Sequence, residues 1–210
     1  MNGQHIDQLA EAFPTAKFVH IFRDGRDSAA SFHRRYGYSP RITLERWKNI
    51  VRKARRDGET LGESRYLEIS YEELTASPEA ELRKICEFIG EPFVEGLLDP
   101  RIPKDSGLER KGFQKNSERW KTHFSARELV RLERQAGKTL AEFGYPVSNV
   151  EGDQDLQPQL RSVLMWRDRL AQTWREARRV WRASPDAKTA IVRIWAHIEA
   201  GLRQARTSKV

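Results

Sequence analysis

The chain has 210 residues, enough for one domain or for one domain with an appendage, and 38% of them are hydrophobic against 32% charged. A mean hydropathy of −0.75, with no apolar run approaching about 18 residues, excludes a membrane-spanning segment from the expected organisation. The net charge of +8 favours anionic partners such as nucleotides, nucleic acid, sulfated or acidic substrates or a membrane surface, while the single cysteine, Cys86, excludes an internal disulfide and fits a reducing compartment.

The opening MNGQHIDQLAEAF lacks the basic, apolar and small-residue parts of a signal peptide, so the cytoplasm is the expected location. Ile6, Leu9, Ala10 and Phe13 recur at helical spacing, and Pro14 closes that helix. Phe18 to Phe22 is a short apolar run that reads as a buried strand of parallel type. It stops at the polar turn Arg23-Asp24-Gly25-Arg26-Asp27 and enters Ser28 to Phe32, which reads as the first turns of a helix. Ser39-Pro40 offers a helix cap and a first-turn proline, and Leu44, Trp47, Ile50, Val51 and Ala54 form one apolar stripe behind it.

Arg65 to Ser70 is a strand by alternation, running straight into Tyr71-Glu72-Glu73-Leu74. Ser77-Pro78 caps a helix with Leu82, Ile85, Cys86 and Ile89 inside and Gly90 at its end. Periodicity disappears from Asp99 to Glu118, a long charged loop of the kind that is usually functional or disordered. Ser125-Ala126-Arg127-Glu128 is a capping box opening a helix that buries Leu129, Leu132, Ala136, Leu140 and Phe143.

Helix and strand therefore alternate through Pro146, which argues an α/β fold for residues 1–148. Residues 149–158 read as a linker, and residues 159–210 as a basic, tryptophan-rich helical extension. From Glu151 onward there are twelve Lys or Arg against seven Asp or Glu. Its first helix lines up Val163, Trp166, Leu170, Trp174, Ala177 and Trp181, and its second lines up Ile191, Ile194, Trp195, Ile198 and Leu202. Such stripes pack on a core or on a second copy of the chain, or else lie on an anionic bilayer.

Five scattered histidines and one cysteine offer no metal-ligand spacing, so no metal site is expected. Gly137-Lys138-Thr139 imitates the end of a phosphate-binding loop, but Leu132 stands where the first glycine belongs, and the segment reads as helix surface. The chemistry concentrates in KFVHIFRDGRDSAASF, Lys17 to Phe32. A strand, a tight polar loop and a helix in succession is where open α/β sheets take ligands. Arg23, Arg26, the hydroxyls of Ser28 and Ser31 and the amides of a helix start all suit an anion. The alternative is that the charged turn merely caps its helix.

Arg23 and Ser31, eight residues apart across that turn, resemble the 3′-phosphate-binding motif of sulfotransferases that use 3′-phosphoadenosine 5′-phosphosulfate (PAPS). Ser70 to Leu74 is similar to the family's tyrosine-acidic segment, which implies Tyr71 beside the adenine. Arg110-Lys111-Gly112, ahead of Arg119-Trp120-Lys121, resembles the loop that closes over the cofactor, although the triplet stands slightly far from Trp120.

The resemblance, spanning roughly Gln4 to Pro146, implies a P-loop nucleoside-triphosphatase-like parallel sheet flanked by helices. It implies PAPS as donor, an acceptor hydroxyl or amine as partner, and Arg23, Ser31, Tyr71, Arg110, Lys111 and Gly112 as cofactor-binding residues. The family's 5′-phosphosulfate loop and its catalytic histidine or glutamate lie upstream of the arginine strand, and here only Met-Asn-Gly precedes Gln4. The catalytic residue is therefore unassigned, and the expectation is an incomplete gene product, half of a split protein, or a remnant that binds without catalysing. His20, inside the strand, reads as a residue with a satisfied imidazole. The competing function is a non-catalytic basic module for nucleotide, nucleic acid or membrane, and the helical extension is a candidate for homo-oligomer or surface contact.

Overall fold

A computed structural model describes residues 2–98, 117–148 and 152–193, the last stretch without 185, 187, 188 and 190. In chain order the elements are α1 (Ile6–Ala12), β1 (Phe18–Phe22), α2 (Gly25–Tyr36), α3 (Pro40–Leu61), β2 (Tyr66–Ser70), α4 (Tyr71–Ala76), α5 (Pro78–Ile89), α6 (Trp120–His123), α7 (Ala126–Glu142) and α8 (Pro158–Arg182). The second tail helix, expected through Leu202, falls largely outside the described residues.

β1 and β2 pair in parallel, with Phe18 opposite Tyr66 and Phe22 opposite Ser70. The crossover between them is the α2–α3 pair, as a parallel connection requires. Ala29 and Ala30 of α2, Leu44, Trp47 and Val51 of α3, and Leu132, Ala136 and Leu140 of α7 form the core with Trp120, Phe124 and Phe143. The small residues of α2 let it lie close against α3. Phe22 meets Phe143 edge-on at 5.0 Å between ring centroids, which puts the α3–α7 layer on the face that carries His20 and Phe22. Ile21 points the other way and is 49% exposed, so the strand read as buried is half-covered.

Ser39 and Ser77 stand at the N-cap positions expected of them, with proline in the first turn, but neither hydroxyl caps its helix. Ser125 does, and its capping box with Glu128 is complete. The Gly137-Lys138-Thr139 segment is helical, but only Lys138 is on the surface. Thr139 is fully buried and donates its hydroxyl to Asp153. Within the 149–158 stretch, residues 152–157 are irregular and held against the body, and Pro158 opens α8. Lys48 reaches Asp155 at 2.6 Å, and Leu156 is buried.

Because His20 and Glu68 are register partners, their side chains share a face, and a polar chain forms there. The His20 imidazole Nδ1 lies 2.8 Å from the Tyr66 hydroxyl, which donates to Glu68 at 2.8 Å, and Arg55 from α3 donates to the other Glu68 oxygen at 2.7 Å. His20 is thus a satisfied strand residue. Burial pushes the Glu68 carboxyl up, but the hydrogen bonds from His20, Arg55 and Tyr66 outweigh it and bring the pKa from 4.5 down to about 2.

A carboxyl depressed by folding stabilises the native state above its unfolded pKa and loses that contribution as pH falls through the folded one. Glu68→Gln is expected to cost about 2–3 kcal/mol near neutrality, and the gap to wild type is expected to close between about pH 4.5 and 2. Denaturant unfolding across that range checks it, and a gap independent of pH would contradict this role of Glu68.

Candidate functional site

The site grows from the junction of β1 and α2. The Trp47 indole donates to the Arg23 carbonyl at 2.8 Å and so fixes the strand end over α3. Gly25 opens α2 beneath the same indole. A Cβ there would stand 2.5 Å from ring atoms of Trp47, so only glycine lets the chain pass. The Asp24 carboxylate caps α2 by accepting the Arg26 amide at 2.7 Å.

From this start, Asp27, Ser31 and Arg34 fall on one flank of α2 at three- and four-residue spacing, in line with Arg23. An eight-residue separation is about two helical turns, which explains why Arg23 and Ser31 meet. They line one small pocket together with Asp27, Ala30, Arg34 and Arg119. Three guanidinium groups against one carboxylate make its walls electropositive. Arg23 also lies against the Tyr71 ring, 4.7 Å from its centroid, and 3.7 Å from the Asp27 carboxylate. The adjacency of Tyr71 follows from the register, since β2 ends beside β1 and passes directly into α4.

Asp27 brings in the distant wall. Its carboxylate accepts the amides of Glu118 at 2.8 Å and Trp120 at 3.0 Å, which seats Arg119 between them at the pocket. Glu118 takes a left-handed φ of +66° to make this contact, a conformation uncommon for a residue with a side chain. Burial pushes the Asp27 carboxyl above its ordinary pKa, and the two amides and Arg23 partly offset that.

Arg26 differs from the sequence expectation. Rather than facing an anion, it is fully buried, bonded to Asp24 at 2.8 Å and Glu133 at 2.8 Å, with its guanidinium 3.8 Å from the Trp120 ring centroid. Its amide is taken by Asp24, so the first turn of α2 is internally capped and the pocket lies on the helix flank. Ser28 is not among the lining residues. Arg110, Lys111 and Gly112 lie outside the described residues. Sequence reasoning missed Arg34 and Arg119 as lining residues. Arg34 was within reach, three residues past Ser31 on the same face, and Arg119 stood in the Arg119-Trp120-Lys121 segment noted beside the cofactor-closing loop without being assigned a role.

Fold and pocket together define an α/β protein with an electropositive recess at the carboxyl end of a parallel strand. Residues 1–95 match the model of the sulfotransferase family. The chain is 32% identical over 109 residues to protein-tyrosine sulfotransferase A of Caenorhabditis elegans, covering 48% of this chain and 29% of the relative. It is 28% identical over 119 residues to the protein-tyrosine sulfotransferase of Drosophila melanogaster, covering 52% and 24%. The chain thus spans less than a third of the length of these curated relatives.

Among solved structures, the sulfotransferase domain of the Synechococcus olefin synthase superposes with a TM-score of 0.52 at 25% identity, over 70% of this chain and 56% of that one. The sulfotransferase domain from the curacin biosynthetic pathway gives 0.54 at 18% identity, over 70% and 60%. The small parallel sheet and its helices therefore share the fold of part of a sulfotransferase domain.

Proposed function

We propose that this chain carries the 3′-phosphate-gripping half of a PAPS-dependent sulfotransferase, which moves a sulfuryl group to an acceptor hydroxyl or amine. The observation that carries the reading is the convergence of Arg23 and Ser31 on one electropositive pocket, with Arg34 and Arg119 adding charge. A guanidinium presents a planar fork of donors to phosphate oxygens, and a serine hydroxyl supplies a further donor. Tyr71, lying against Arg23, would border the adenine, and Arg110 to Gly112 would add contacts from their loop. The curated relatives are named for protein tyrosine, whose side chain carries a hydroxyl of the proposed acceptor class.

Calorimetric titration of the full chain with adenosine 3′,5′-bisphosphate and with AMP tests the proposal. The reading requires the bisphosphate to bind at least about tenfold more tightly, since one well-made charged contact contributes about 1.5–3 kcal/mol. Equal affinities, falling together with salt, would instead support a basic binding module that responds to charge alone.

A further inference from the structure

An amphipathic helix on a globular body ordinarily turns its apolar stripe inward. Helix α8 does the reverse. Its polar face is the seated one: the buried Asp168 carboxylate accepts the Ser39 amide at 2.7 Å, Arg161 reaches Glu45 at 3.2 Å, and the Arg175 guanidinium covers Gly37. Its apolar stripe, Val163, Trp166, Leu170, Trp174 and Trp181, faces outward with each residue 52–67% exposed. These five recur at intervals of three, four, four and seven, which keeps them on a single line of the helix.

We propose that α8 is an interfacial helix that seats this chain on an anionic lipid surface. The occupant follows from charge. The helix holds seven arginines against two acidic residues, and at 100° per residue Arg167 and Arg178 flank the stripe on one side and Arg169 on the other. A second copy on the same stripe would bring two arginine-lined flanks together, whereas anionic headgroups neutralise them. Indole rings favour the headgroup level, and arginine stems let the charge reach phosphate while the ring beds below it. Among the described residues no helix is long and apolar enough to cross a membrane, so the geometry is that of a helix lying on the surface.

Co-sedimentation of the full chain with vesicles of phosphatidylcholine, alone or mixed with phosphatidylserine, is the experiment. The chain is expected to bind the mixed vesicles at least about tenfold more strongly than the neutral ones and to be released by salt. Replacing Trp166, Trp174 and Trp181 by serine is expected to abolish binding with the thermal midpoint unchanged. The pair Arg167→Glu and Arg178→Glu is expected to weaken binding while all three indoles remain. Failure of the wild-type chain to sediment with mixed vesicles would overturn the proposal. So would a solution dimer that the three serine substitutions convert to monomer, since the stripe would then belong to a second copy.

Discussion

Arg23→Ala is expected to weaken binding of adenosine 3′,5′-bisphosphate by about 10- to 150-fold, the equivalent of about 1.5–3 kcal/mol for a hydrogen-bonded charged contact. Arg23 lines the pocket at the strand end, held there by the indole bond to its carbonyl and by contact with Tyr71. Removing the guanidinium takes away the fork of donors without disturbing the carbonyl that Trp47 holds. AMP, which lacks the 3′-phosphate, is expected to change by less than about threefold, and this separates loss of a specific contact from loss of the fold. Ser31→Ala removes one neutral donor and is expected to cost a smaller part, about 0.5–1.5 kcal/mol. Equal losses for both nucleotides, or unchanged affinity for the bisphosphate, would remove Arg23 from the site.

A still larger effect on stability is expected two residues beyond the glycine's neighbour Asp24, at Arg26. Its side chain bridges Asp24 and Glu133 from inside the protein, and all three residues are at least 94% shielded from solvent. Arg26→Met leaves two carboxylates buried without their counter-charge, a change that costs about 3–5 kcal/mol. For a chain of this length that corresponds to a fall of about 6–20 °C in thermal midpoint. Adding Glu133→Gln is expected to recover part of the loss, because one orphaned charge is removed while the amide oxygen still accepts the Ser148 amide that Glu133 holds at 3.0 Å. A fall of less than about 3 °C for the single variant would show that the bridge contributes little. Trp120 stacks on Arg26 and its neighbour Arg119 lines the pocket, so the single variant is also expected to weaken anion binding without touching the anion.

The contrast between Arg23 and Arg26 shows how far local sequence reaches. Both belong to one charged turn, and both suited an anion on sequence alone. Arg23 reached the pocket through spacing, since two helical turns bring it to Ser31. Arg26 did not, because its second partner, Glu133, lies 107 positions away and arrives only when α7 packs against α2 and α3. Arg119 reached the pocket for the same reason, drawn in by amide bonds to Asp27 across 91 and 93 positions. The tryptophan stripe is a different case. Its periodicity was plain in the sequence, but periodicity defines a face without saying what the face meets.

What the sequence determined by itself was therefore everything governed by spacing along one element. That covers the parallel strands, the helix that follows β1, the approach of Ser31 to Arg23 and the single apolar line on α8. Tertiary structure alone decided which charges became buried struts, that Arg119 joined the pocket and which way α8 turned its indoles. Spacing sets side-chain direction within a helix or strand through bond geometry. Burial and long-range pairing exist only once separate elements share a core.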